Sequence, residues 1–314
     1  MHFIKNHSLF GEVGLSCANE LRKKGVDAEV WLTRGGVGIK FLSSIVEKIE
    51  FLSELPIREV DFTQVSFPPI EILKSLDLYA IGIPGSADFT FNCLKIFPLE
   101  SLLAESVKAT DFSTLSNSEI SKLSLGRTSL KDLEFCRLLP LEFLQIDHCK
   151  VDDLSALKGK KLFHLNIFKC EVSDLSALNG MPLHSLDICA NKISDLSPLR
   201  DSSISKLEMR ATQVSDLQPL SSLPIETLSL PGSPVSNLGH LVGCPIKDLN
   251  IIGLEVDDLR CIQHLPLRRL HVSPGKLNLK DFEFLKSLDL EYLIGPGDER
   301  EQKPQEFFDK YESH

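Results

Sequence analysis

The chain is poor in the features that mark metal sites, nucleic-acid binders and membrane spans. It has no C-x-x-C pair, and none of its eight cysteines (17, 93, 136, 149, 170, 189, 244 and 261) stands beside a His-rich cluster. Zinc sites use such spacings, so no metal site and no cofactor are expected. Basic residues are in deficit, 34 Lys and Arg against 44 Asp and Glu, for a net charge of −10. That excess of acid argues against broad attraction to nucleic acid or an anionic membrane, although a local basic patch stays open. No apolar stretch reaches membrane-spanning length, and MHFIKNHSLFGEVGLSCANEL has one early Lys and no signal-peptide core. The expectation is a cytoplasmic chain, on condition that the sequence is not a piece of a longer protein.

What the chain does have is a repeat. From Leu141 the segments LEFLQIDHCKVDDLSALKGKK, LFHLNIFKCEVSDLSALNGMP, LHSLDICANKISDLSPLRDSS and ISKLEMRATQVSDLQPLSSLP follow one another without a gap, a period of 21. Counting Leu141 as position one, eleven successive repeats from Ile57 to Leu267 place Ile or Leu there. Position four runs from Val60 through Leu144, Leu165, Leu186 and Leu207 to Leu270, and position six from Phe62 through Ile146 and Ile167 to Val272. An earlier repeat fits less well, with Gly36 at position one and Ile39 and Phe41 in the core columns; a later one needs two inserted residues to bring Leu290 and Leu293 into register. A fixed period of this length identifies a repeat architecture, in which each unit packs only on its neighbours and chain length sets no limit to the core.

Within a repeat, L-x-x-L-x-I alternates apolar and polar residues and predicts a short half-buried strand, stacked in parallel on the next. A second apolar set at spacing three, such as Val172, Leu175 and Leu178, suits one turn of tight helix on the return. Asp111, Asp132, Asp153, Asp174, Asp195, Asp216, Asn237 and Asp258 precede that set, where a short side chain caps exposed N–H groups. A structural role is expected for them, since paired catalytic acids would not recur at every repeat. Pro56, Pro98, Pro140, Pro182, Pro224, Pro245 and Pro266 close repeats where a missing N–H does least harm.

These columns resemble the leucine-rich-repeat family, and VSDLSAL, ISDLSPL and VSDLQPL are similar to the short bacterial class of internalin-like proteins. The resemblance covers residues 36 to about 295 and implies an α/β-type repeat solenoid, right-handed and curved, with a parallel sheet on the concave face. Similar arrays accompany bacterial serine/threonine kinase domains, but this chain has no kinase phosphate-loop or catalytic-loop motif. It departs from the family at position nine, where an Asn commonly bridges adjacent turns: Asn191 keeps it, whereas Thr128, Cys149, Cys170, Thr212, Ser233, Leu254 and Gly275 replace it. A partial polar ladder follows. Cys149 and Cys170 would stand on adjacent turns, as a disulfide or as two buried thiols packing like small apolar residues. Cys136 falls in a core column and is expected to be inert.

The expected organisation is an N-terminal cap over 1–35, about 12–13 repeats over 36–295, and a polar C-terminal tail over 296–314. VGLSCANELRKKGVDAEVWLTR reads as an amphipathic helix and a strand covering the first sheet edge, or as a remnant of a preceding domain. The tail reads as frayed, with Phe307, Phe308 and Tyr311 offering a cap contact.

Positions three, five, seven and eight face away from the core and form the surface open to a partner. The richest stretch carries Phe143, Asp147 and His148, then His164, Phe168 and Lys169, then Asp187, then Lys206, Glu208 and Arg210; Ala80, Gly82, Pro84 and Gly85 on one side and Thr227, Ser229, Pro231 and Gly232 on the other are blander. Exposed aromatics and Arg anchor interfaces, which singles out Phe143, Phe168 and Arg210; the alternative is that the rings only shield neighbouring strands. Asp147, His148 and His164 also raise an enzyme reading through a His beside a carboxylate, but no nucleophile, phosphate loop or closed pocket accompanies them. The expectation is a non-catalytic module binding a protein partner, with no catalytic residue and no nucleic-acid or membrane role. The alternative is a ligand-sensing segment of a larger bacterial signalling protein such as a serine/threonine kinase.

Overall fold

From the repeat at Leu78 onward, each L-x-x-L-x-I motif becomes a strand of three residues in the computed structural model, which describes residues 11–43, 49–85, 88–298 and 302–311. Residues 1–10 of the expected cap, and 299–301 and 312–314 of the expected tail, lie outside that set. The chain divides into two compact units, Met1–Cys149 and Lys150–His314.

Unit 1 begins with α1 (Gly11–Lys23), which buries Cys17, Ala18 and Leu21. β1 (Ala28–Thr33) and β2 (Gly36–Phe41) pair antiparallel through a two-residue turn, Gly35 supplying the left-handed residue at φ 79°. These are the helix and strand expected of VGLSCANELRKKGVDAEVWLTR. From β2 the pairing is parallel and sequential through β3 (Ile57–Asp61), β4 (Ala80–Gly82), β5 (Ser101–Leu103), β6 (Lys122–Ser124) and β7 (Phe143–Gln145). Leu102, Leu123 and Leu144 stand opposite one another, all fully buried.

Unit 2 repeats the parallel order through β8 (His164–Asn166), β9 (Ser185–Asp187), β10 (Lys206–Glu208), β11 (Thr227–Ser229), β12 (Asp248–Asn250), β13 (Arg269–His271) and β14 (Tyr292–Ile294). Leu165, Leu186, Leu207, Leu228, Leu249, Leu270 and Leu293 form one buried row, and the Leu270–Leu293 pairing accommodates the two-residue insertion read from the sequence.

The return path is a 3-10 turn, and the acids hold it. Asp153, Asp174, Asp195 and Asp216 accept the backbone N–H two residues on, at 2.7–2.8 Å, which is the first residue of the turns Ser155–Leu157, Ser176–Leu178, Ser197–Leu199 and Gln218–Leu220. Asp111, Asp132, Asn237 and Asp258 do the same. An N–H at the start of a helical turn has no partner within it, so a carboxylate there supplies what the backbone cannot.

At position nine the polar ladder is partial, as the substitutions imply. Asn191 donates to the carbonyls of Ile167, Ile188 and Cys189 and accepts the Val172 N–H. Thr128, Thr212 and Ser233 each make one short bond to the carbonyl three residues back. Cys149 donates to Leu125 O at 3.4 Å, and its thiol is pushed up chiefly by burial. Six of the eight cysteines, Cys136, Cys149 and Cys170 among them, are buried.

The wider, less uniform return loops of unit 1 are filled by rings. Phe41, Phe62, Phe67, Phe89, Phe91, Phe112 and Phe135 contact one another in chain order, with centroids 4.9–6.0 Å apart. In unit 2 α3 (Leu279–Lys286) stands where a 3-10 turn would recur, started by a capping box between Asn278 and Asp281. The polar C-terminal segment differs from its sequence reading, because Pro304–Tyr311 forms a helix, α4. Its aromatic side supplies the reason: Phe307 is fully buried and Phe308 nearly so, packing against Phe282. Leu293 of β14 donates its N–H to Gln302 O at 3.1 Å, so the segment before α4 satisfies a group on the outer side of that strand.

Candidate partner-binding faces

In each unit positions four and six close the core, and position three of the strand points the other way. In unit 1 the face at β7 is a connected polar network. Gln145 Nε2 donates to Glu105 Oε1 at 3.2 Å and to Asp147 Oδ1 at 3.1 Å, and Ser124 donates to the same Glu105 oxygen at 2.7 Å. Asp147 is only 6% exposed, with His148 Nδ1 at 3.0 Å and Arg127 Nε at 3.6 Å. The sequence reading set Asp147 among the contact residues; here it serves the network beneath them. Gly126 explains this placement, since a Cβ at that position would lie 2.2 Å from the Asp147 carboxylate. Phe143 is partly buried, with Lys122 opposite it on β6. The carboxylate–imidazole pair behind the enzyme reading therefore exists as Asp147–His148, with the Gln145 amide and the Arg127 guanidinium as further neighbours of the carboxylate.

In unit 2 His164 is partly buried on β8, and burial, with Lys206 adding to it, holds its pKa below the ordinary value. Asn166 and Asp187 turn their side-chain oxygens to the backbone N–H of Phe168 and Cys189, both at 2.9 Å. Asp187 thus shapes the strand exit as well as facing outward. Lys206 pairs with Glu208 at 3.5 Å on the same strand, while Lys169 and Arg210 are exposed and Phe168 is partly so.

Position eight has a conformational rule that sequence alone did not reveal. Ser106, Arg127 and His148 in unit 1 and Lys169, Ala190 and Ala211 in unit 2 all sit at φ 54–59°, and Gly232 and Gly253 continue the column at 73° and 82°. The glycines at 232 and 253 were the available signal, because glycine tolerates that region without strain. This left-handed step sets the direction in which His148 and Lys169 project.

A second unit 2 cluster also escaped the sequence reading. Asp248 lies 3.0 Å from Arg269 and 3.6 Å from His271, and Arg269 stacks on the Tyr292 ring at 5.2 Å. These residues come from three strands, β12, β13 and β14, and only the register brings them together. His271 is held below its ordinary pKa, burial outweighing the attraction of Asp248.

Among the described residues no group of three His, Cys, Asp or Glu could hold a metal ion, and no helix is long and apolar enough to cross a membrane. No protein-family model matches the chain, and no curated protein matches it. Solved structures do. The chain is similar to an internalin from Listeria monocytogenes at 20% identity, covering 83% of this chain and 87% of that one, with a TM-score of 0.63. It is similar to a leucine-rich-repeat protein of Leptospira interrogans at 16% identity, covering 85% and 91%, with a TM-score of 0.51. The APL1 leucine-rich-repeat domain follows at 14% identity, covering 82% and 81%, with a TM-score of 0.50. Short parallel strands alternating with 3-10 turns, and these likenesses, give the chain the leucine-rich-repeat solenoid fold, internalin-like in its repeat.

Proposed function

We propose that the chain is a non-catalytic binding module that takes a protein partner on the strand faces of its repeats. The observation behind this reading is the division of labour along each strand. Positions four and six are fully buried in row after row, whereas Phe143, His164, Phe168, Lys169, Lys206, Glu208 and Arg210 stand outside the core that those rows complete. His148 and Asp187, partly exposed, belong to the same faces, and Asp147 supports them from beneath. Aromatic and Arg side chains on a polar surface are the residue types that carry binding energy when a partner desolvates them.

Affinity purification with cross-linking supplies the partner, and a triple variant then tests the face. Phe143→Ala, Phe168→Ala and Arg210→Ala together are expected to abolish capture of that partner and to leave the thermal midpoint nearly unchanged, as surface changes do. Lys131, Lys158 and Arg200, all exposed beside the 3-10 turns, are the matching control and are expected to leave capture intact when changed to Ala. The reverse pattern would put the partner on the turn side and end this reading.

A further inference from the structure

The N-terminal part of unit 1 holds the one Trp of the chain, in a setting that the edge of a sheet does not require. Trp31 stands opposite Gly38 across the hairpin, and its indole lies on that glycine: a Cβ at 38 would come 2.1–2.3 Å from ring atoms. Its Nε1–H donates to Glu59 Oε2 at 3.0 Å, and the Thr33 and Tyr79 hydroxyls donate to Glu59 Oε1 at 2.5 and 2.6 Å. Three donors from two segments, β1 and the residue before β4, therefore fix one carboxylate, and that carboxylate fixes the ring. Burial, with the Glu59 charge beside it, pushes the Tyr79 phenol up to about 12, so it remains a donor. The equivalent position-three residues on the following strands, Ala80, Ser101 and Lys122, hold nothing comparable.

Acid outweighs base around the ring. Glu29 on β1 and Glu59 and Asp61 on β3 lie on the Trp31 side of the sheet, against Lys40, which lies 3.8 Å from Asp61, and Arg34, whose backbone bonds the Tyr79 phenol. Gly82 makes room for the Asp61 carboxylate, whose Oδ1 would lie 2.7 Å from a Cβ there, and Trp31 stays partly open to solvent although Gly38 takes its near side. An immobilised indole costs a partner no ordering of its own, and Trp is the best platform for a stacked cation.

We propose that this face docks a basic, arginine-bearing protein segment, which lays a guanidinium on Trp31 and its charge against Glu59 and Asp61. Arginine suits the place because its planar head stacks on an aromatic face and forks to a carboxylate at once. The same acids repel phosphate, which sets nucleic acid aside as the occupant. The proposal is independent of the faces around Phe143 and Arg210.

Trp31, as the lone tryptophan, reports its own occupancy through its emission. The full chain is titrated with an acetylated, amidated octapeptide carrying four arginines, and with the same peptide carrying glutamates in their place. A saturable change is expected with the arginine peptide only, weakened several-fold when salt is raised. Lys40→Glu is expected to tighten binding about threefold or more, and Glu59→Gln to weaken it about two- to fivefold, the scale of one exposed ion pair. Trp31→Phe, followed by anisotropy of a labelled peptide, is expected to weaken it comparably and to check that the signal is not an optical effect. The proposal fails if the arginine peptide gives no saturable response, if the glutamate peptide responds equally, or if Lys40→Glu or Trp31→Phe leaves the affinity unchanged.

Discussion

The two units solve one problem with different materials. The first four returns of unit 2 are near-identical three-residue turns, S-A-L, S-A-L, S-P-L and Q-P-L, each with an acid on its first N–H. Unit 1 has return paths of unequal length, from the three-residue turn Ser113–Leu115 through the four-residue α2 (Ile70–Leu73) to the six-residue 3-10 helix Phe91–Ile96, and fills the space with a run of seven phenylalanines. Uniform turns let small aliphatic residues close the core, because successive turns nest. Uneven turns leave gaps of differing width, and a large ring spans them at high packing density.

The comparison breaks first at its largest side chains. Phe91→Ala removes a ring that is 1% exposed and touches Phe89 and Phe112, and it is expected to cost about 3–5 kcal/mol, against about 2–5 kcal/mol for Leu186→Ala in unit 2. Urea unfolding of both variants checks this. The sharper form is Phe112→Leu, which is expected to lower the cooperativity of unit 1 more than a Leu→Val change does in unit 2, because neighbouring rings rely on it from both sides. A loss near zero for Phe91→Ala would mean that the ring run is filler.

Acid separates the units next. His164 and His271 belong to unit 2 and both have folded pKa values below the ordinary 6.5, chiefly through burial. The unfolded chain therefore binds protons first as pH falls through 6.5, so the stability these neutral rings allow is present above that pH and declines below it. Melts of His164→Gln and His271→Gln from pH 7.5 to 5 are expected to be flatter than those of the parent chain; parallel curves would show that neither imidazole titrates differently on folding.

The sequence made the strand rows, the turns, the acid caps and the two-residue insertion before Leu293 legible, because each follows from a column that repeats every 21 residues. What it hid depends on register between columns or on aperiodic residues. Phenylalanines 67, 89, 91 and 135 occupy no common repeat position, so their contact in chain order could not be read from spacing. Asp147 has the charge and position of a contact residue, and only Gly126 one turn earlier tells that its carboxylate folds down. The helix at 304–311 was masked by its polar side, since eight residues are too few for periodicity to outweigh composition.

Position eight offers a finer test. In unit 1 the left-handed step is taken by Ser106, Arg127 and His148, and in unit 2 by Lys169, Ala190 and Ala211 before glycine relieves it at 232 and 253. Ala190→Gly, at φ 55°, is expected to stabilise the chain by about 0.5–1 kcal/mol, and Gly253→Ala to destabilise it by about 1 kcal/mol or more. Nothing lies within 4 Å of a Cβ at 253, so the cost there would be conformational and not steric. Equal and small effects in both directions would show that the surrounding hydrogen bonds, and not the residue type, govern this step.

An effect of similar size concerns the acid caps that both units share. Asp195 accepts the Ser197 N–H at 2.8 Å on an otherwise exposed surface, so Asp195→Ala is expected to cost only about 1 kcal/mol, well below Leu186→Ala. Bonds from the Ser197 side chain and backbone lower the Asp195 pKa from its ordinary 3.8. The cap's contribution is then complete above that pH and is lost as pH falls below 3.8 through the folded value, the opposite end of the acid range from the histidines. Asp195→Asn separates acceptor from charge: the amide oxygen still takes the N–H, so most of the stability at neutral pH is expected to survive while its acid dependence disappears. If Asn and Ala cost the same, the carboxylate acts through its charge on the turn, and the cap geometry contributes little.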